Sequence, residues 1–159
     1  MPNESLIATD PIVAQNFYLE IAGENIILTG VSGLDVEADV VSIQQVGKTG
    51  RSEMVKTRGN INKAADITIT RMAPMDAMSD PIWKWFKDIR DKGMGGTART
   101  ATRKDGSIVL YDGAYAEVGR FNFSKGWPSK IATDAVSTDS NEAVKETITL
   151  VIERLDRVK

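Results

Sequence analysis

Segment after segment of this chain alternates apolar and polar residues with a period of two, and a single stretch carries the helical period. This pattern limits the fold more than any other feature. Strands joined by short turns, with one helix among them, cannot build a repeated βαβ unit. The pattern therefore predicts a mainly β protein, an antiparallel sandwich or barrel with one helix laid across it. At 159 residues the chain has the size of one domain and can bury a core without staples.

The first strand reads Asn16-Phe17-Tyr18-Leu19-Glu20-Ile21, and Ala22-Gly23-Glu24-Asn25 turns it into Ile26-Ile27-Leu28. After Gly30 and Gly33, Leu34, Val36, Ala38 and Val40 share one face while Asp35, Glu37 and Asp39 share the other. Val40, Val41 and Ile43 then put apolar groups on both sides, which predicts a strand half exposed at its start and covered on both faces later. Residues 47–64 lack a clean period and read as a long loop or a protruding hairpin. A loop beyond about 12 to 15 residues usually performs a task in a compact domain, so residues 47–63 are a candidate docking element. An extended arm is expected over residues 1–14, with turns at Asp10 and Pro11. Further strands are expected over residues 65–71, 117–123 and 144–155, and over 97–103 paired with 107–111 across a Lys104-Asp105-Gly106 turn. In the last strand Val144, Glu146, Ile148, Leu150 and Ile152 share one parity. The helix has Asp80 as its cap, Pro81 at its first position, and Ile82, Trp85, Phe86 and Ile89 as a stripe expected to be buried; Gly93 and Gly95-Gly96 stop it.

Neither cysteine nor histidine occurs, which excludes thiolate nucleophiles, Ser-His-Asp triads and ordinary zinc sites by inventory. Carboxylate-pair hydrolysis, lysine chemistry and an oxygen-ligand metal site need only residues that are present. No basic segment leads into an apolar run at the start, and no stretch of 18 apolar residues follows, so neither classical secretion nor membrane insertion is expected. The net charge of -2 conceals segregation: residues 1–46 hold seven acidic residues and no basic one, while residues 47–104 hold thirteen basic and six acidic. Either the two segments project to different surfaces and copies meet face to opposite face, or the fold interleaves them and cancels the field.

Three motifs carry less than they promise. Gly47-Lys48-Thr49 resembles the end of a phosphate-binding loop, but Ser42 stands where the first glycine belongs and no amphipathic helix follows. The pairs Asp35/Glu37 and Glu37/Asp39 lie two apart on one strand face and read as an acidic strip, with a cation or acid/base site as the alternative. Lys84, Lys87, Arg90, Lys92, Arg99, Arg103 and Lys104 lie near Trp83, Trp85 and Phe86, a nucleic-acid-like combination, yet those aromatics fall largely on the stripe expected to be buried.

Several segments, taken in order, carry a resemblance: Asn16-Phe17-Tyr18-Leu19-Glu20-Ile21, Val31-Ser32-Gly33-Leu34-Asp35-Val36-Glu37, Trp83-Lys84-Trp85-Phe86-Lys87, Phe121-Asn122-Phe123, Gly126-Trp127-Pro128-Ser129-Lys130 and Ser140-Asn141-Glu142-Ala143-Val144-Lys145-Glu146-Thr147. Together they resemble the tail tube proteins of contractile phages and the inner tube proteins of phage-tail-like injection particles, over roughly residues 15–157. The resemblance implies a β-barrel-like domain with a flanking helix, six copies per ring, and rings stacked head to tail inside a sheath. Baseplate and terminator proteins would be further partners, and cargo or DNA would pass through the lumen without sequence-specific binding. No cofactor and no catalytic reaction are implied. The subunit would be made in a cytoplasm and end in a phage tail or injection particle. Ring and stacking contacts fall by the resemblance on residues 34–45 and 47–63, with Leu34, Val36, Glu37, Asp39, Val41, Ile43, Lys48, Arg51, Lys56 and Arg58 as the candidate interface. Val55-Lys56-Thr57-Arg58-Gly59 departs from the Leu-Pro-Gly-like stretch common in the family. From the residues alone, a small protein-binding adaptor and a carboxylate-dependent enzyme remain alternatives.

Overall fold

The computed structural model describes residues 14–93, 95–96, 102–139 and 141–159, with the backbone alone for residues 60–63. Along the chain run β1 (Asn16–Ile21), β2 (Glu24–Leu28), β3 (Gly30–Ser32), β4 (Val36–Val46), β5 (Ser52–Ala64), β6 (Ile67–Met72), α1 (Pro81–Lys92), β7 (Lys104–Tyr111), β8 (Glu117–Thr133), β9 (Lys145–Val151) and β10 (Arg154–Arg157). The 1–14 arm and the strand expected at 97–103 fall almost wholly outside the described residues.

One antiparallel sheet takes the order β2-β1-β7-β8-β9-β6-β3, with β10 also paired to β8. Its two ends are consecutive in the chain: only Thr29 separates β2 from β3, and its N–H donates to the Thr70 carbonyl at 2.7 Å. The sheet therefore curls until its ends meet, which is the barrel reading of the sequence pattern. Leu19, Leu28, Ile67, Ile69, Ile108, Phe123, Ile148, Leu150 and Leu155 fill the interior. Each projects from the apolar parity of its strand, as a half-buried antiparallel sheet requires.

Several boundaries differ from the sequence reading. The first turn is two residues, Ala22 and Gly23, both at positive φ (51° and 81°), the geometry that matches strand twist in a tight hairpin. Lys104-Asp105-Gly106 is the start of β7, not a turn. Gly106 sits there because a Cβ would lie 2.6 Å from the Phe123 ring and 2.7 Å from the Glu20 carbonyl, so the glycine marks close approach. β8 runs on past Phe123 to Thr133, pairing with β7 up to Gly126 and with β9 from Trp127. It turns the corner at Lys125, whose φ is 52°, and Gly126, where a Cβ would meet the Phe123 ring at 2.6 Å. Trp127-Pro128 thus lies within a strand, and the loop begins only after Thr133. The 144–155 stretch is two strands, broken at Ile152 and Glu153.

The helix forms as its sequence signals direct. The Asp80 carboxylate accepts from the Trp83 N–H at 3.0 Å, Pro81 opens the first turn, and Gly93 (φ 69°) closes the last with its N–H on the Ile89 carbonyl. Ile82 and Trp85 are buried, whereas Ile89 is only partly covered. Phe86, expected in the buried stripe, is half-buried and meets Trp83 edge to face at 6.4 Å.

Candidate functional site: an exposed two-stranded hairpin

β3 and β6 are the inner half of one long ribbon, and β4 and β5 are its outer half. The ribbon leaves the barrel at Gly33, whose φ is 81° and whose Cβ would lie 2.2 Å from the Asp66 carbonyl oxygen; no other residue fits that neck. Beyond it β4 pairs with β5 alone, in a separate two-stranded sheet. At the tip the Gly47 N–H donates to the Arg51 carbonyl at 2.9 Å and the Gly50 N–H to the Gly47 carbonyl at 3.0 Å. Gly47-Lys48-Thr49 is therefore a hairpin tip. Of the two readings of residues 47–63, the hairpin holds and the loop does not. The period is lost because beyond the neck neither face of the ribbon packs on the core, so nothing imposes one.

Register sorts the hairpin into two faces. Val41, Ile43 and Gln45 stand opposite Thr57, Val55 and Glu53; Val40, Ser42, Gln44 and Val46 stand opposite Arg58, Lys56, Met54 and Ser52. The expectation that the later strand is covered on both sides is overturned within the subunit. Val40 and Val46 are 61% and 73% exposed, and Val41, Ile43 and Val55 remain 41–44% exposed. Of the candidate residues, Val36, Glu37, Lys48, Arg51, Lys56 and Arg58 are exposed, Asp39 is half-buried, and Leu34 lies at the neck, partly packed on the core. Glu37, Asp39, Val41 and Ile43 share one face, and Val36, Lys56 and Arg58 belong to the other. Lys48 and Arg51 flank the tip.

The charge segregation seen in the sequence is undone here, because acidic β4 lies on basic β5: Glu37 is opposite Lys63 and Val40 opposite Arg58. Asp39 faces Gly59, where a Cβ would lie 2.4 Å from its carboxylate, and the strands slip register there. What survives is a basic outer end, Lys48, Arg51 and Lys56 with Glu53 as the one acidic neighbour. A groove of about 360 Å³ separates the hairpin root, at Val36, Ala38 and Arg58, from β10 at Arg154 and Asp156. Among the described residues, no group of three histidine, cysteine or acidic side chains is placed to hold a metal ion.

A second concentration of charge is buried and was missed by motif reading. The Arg71 guanidinium donates to Asp80 at 2.8 and 2.7 Å and to Glu146 at 3.3 and 3.1 Å, and the Trp83 indole N–H donates to the other Glu146 oxygen at 3.1 Å. Burial opposes ionisation of Asp80, but the Arg71 hydrogen bonds and the Trp83 amide outweigh it and hold that carboxyl below its usual range. Burial likewise disfavours the Arg71 cation, and its two carboxylates outweigh that to raise its pKa. The signal was present: Arg71 is in phase with Ile67 and Ile69, and Glu146 with Ile148 and Leu150, so opposite charges sit on two apolar faces. Of the aromatics in the base-stacking reading, Trp85 is buried with its indole N–H on the Thr102 carbonyl, and the half-buried Trp83 has its indole N–H held by Glu146.

The sequence model of the T4-like virus tail tube protein gp19 matches residues 13–156. No curated protein matches the chain. Among solved structures, a chain of the PVC sheath–tube complex of an extracellular contractile injection system, in the extended state, superposes with TM-score 0.71 at 21% identity, covering 99% of this chain and 97% of that one. A chain of the PVC sheath/tube terminator gives TM-score 0.73 at 22% identity over 96% and 99%. Hcp1 from Flavobacterium johnsoniae gives 0.54 at 17% over 91% and 95%. These likenesses establish a shared fold, and the match over nearly the whole chain establishes the lineage: this chain belongs to the T4-like virus tail tube protein gp19 family, a family of tail tube structural subunits.

Proposed function

We propose that this protein assembles into closed rings of six that stack head to tail as the inner conduit of a contractile particle, with no reaction catalysed by the subunit. The observation that carries this is the hairpin. A two-stranded ribbon of 11 and 13 residues is marginal in water on its own, yet this one stands off the barrel with apolar side chains on both faces. Such a ribbon needs a second surface, and a ring supplies the same surface to every copy through a heterologous contact. Leu34, Val36, Glu37, Asp39, Val41 and Ile43 serve ring closure in this reading, and Lys48, Arg51, Lys56 and Arg58 serve stacking. The relatives in shape come from complexes described as sheath–tube, tube terminator and baseplate, which supports sheath, terminator and baseplate proteins as partners here. The lumen would pass cargo or DNA without reading its sequence. The test is native mass measurement and electron microscopy of the purified protein at rising concentration. Hollow rings of six subunits that stack are expected; a reproducible closed ring of another number overturns the hexamer, and persistent monomers overturn the tube.

A further inference from the structure

The hairpin leaves the barrel at the Ile67 end of β6, and the other end of the same strand, at Met72, opens onto a surface of opposite character. Two segments meet there. Residues 72–79 cross to the helix, residues 134–144 connect β8 to β9, and the Ala73 N–H ties them by donating to the Val144 carbonyl at 2.9 Å. Met72, Met75, Met78, Val136 and Val144 are exposed on these tied segments, an apolar patch of flexible and branched side chains. Acidic groups outnumber basic ones there: residues 72–79 contain Asp76, and residues 134–144 contain Asp134, Asp139 and Glu142, against Lys87 and Lys145 at the borders. Within the connection lies a groove of about 270 Å³, lined by Asp134, Val136, Ser137, Glu142, Val144 and Lys145. Lys87, with Nζ 3.4 Å from the Met78 sulfur, borders the patch from the helix.

We infer that this patch is the seat for the hairpin tip of the next copy along the stack, an inference that rests on the tube reading. The tip offers the complement: Val46 and Met54 exposed, with Lys48, Arg51 and Lys56 around them. Donor and acceptor lie at opposite ends of one strand. The operation joining them is therefore a displacement along that strand, which does not close on itself and propagates a file of copies in a single direction. Reversing one copy would bring two basic tips or two acidic patches together, and like charges resist that encounter. Three acidic residues of the first 46 positions fit the role less well. Glu20 is bound to Arg120 at 2.8 Å, and Glu37 and Asp39 ride on the hairpin itself.

Two experiments test the seat. The chain has no cysteine, so Met54→Cys and Val136→Cys together form the one pair available. Oxidation of tubes carrying both should give a ladder of linked subunits, and tubes carrying either alone should give none. In the second, K48E/R51E and D134K/D139K should each shorten tubes at least tenfold with the subunit melting temperature unchanged, and the four changes combined should restore length to within twofold. Tubes that carry both cysteines and give no ladder, or a combined variant as short as its parents, overturn the seat and leave the tube intact. Wild-type protein that makes no tube at all overturns the tube reading itself.

Discussion

Arg71 is a buried cation shared by two carboxylates, and its removal would leave both of them facing each other without a counter-charge. Arg71→Met should therefore destabilise the subunit by about 3–5 kcal/mol, the usual penalty for breaking a buried pair from one side. Urea unfolding of the unassembled subunit checks this. Asp80 adds a pH dependence. Its folded pKa is depressed, so the stability it contributes is fully present above its unfolded value and is lost as pH falls through the folded one. Melting temperature should drop below about pH 4, and Asp80→Asn should flatten that acid limb, because asparagine still caps the helix but cannot titrate. The residues of this network were legible as phase, a charge standing where an apolar side chain belongs on two strands. Their pairing was not, since the sequence does not display which strands are neighbours. Gly106 is the converse case. A glycine between polar residues reads as a turn, and only the Phe123 ring packed above it reveals why no side chain is tolerated.

At the scale of elements, the helix and the hairpin contrast. The helix was legible almost to the residue, because cap, proline, apolar stripe and terminal glycine all agree. Trp85→Ala should cost about 3–5 kcal/mol through lost contact and a residual cavity. Phe86→Ala, at a half-covered site, should cost only about 1 kcal/mol. Thermal melts of the two variants side by side would separate them, and equal losses would mean that the packed face is assigned wrongly. The hairpin was legible only in part. Its first strand announced itself by alternation, but β5 is rich in lysine, arginine, asparagine and glycine and has no core face to impose a period. The same lack of burial makes a sharp prediction. V41S/I43S should leave subunit stability within about 0.5 kcal/mol of wild type, as surface changes do, while abolishing ring formation as read by size-exclusion chromatography with light scattering. A fall in melting temperature together with intact rings would show that these side chains serve the subunit and not its assembly.

For the whole molecule, the many alternating segments and the one amphipathic helical stretch in the sequence were enough to exclude a parallel α/β fold, and closure follows from Thr29, which makes the two ends of the sheet neighbours in the chain. Less legible was the sharing of β8 between two halves of the barrel. A strand of 17 residues with a corner at Lys125 looks, in sequence, like a strand, a loop and a Trp-Pro turn, since glycine and proline ordinarily punctuate. The neck at Gly33 and Asp66 has a mechanical consequence. Because only three residues on one side and two on the other join the hairpin to β3 and β6, a push or pull on its tip is delivered to strands that are bonded within the barrel, β6 to β9 at every position from Ile67 to Met72. The load is taken in shear, spread over all of those rungs at once, and not peeled from them one at a time. A subunit driven from behind would thus pass thrust from tip to barrel without first unzipping, and stiffness in the long direction comes from the short neck and the paired rungs behind it instead of added bulk.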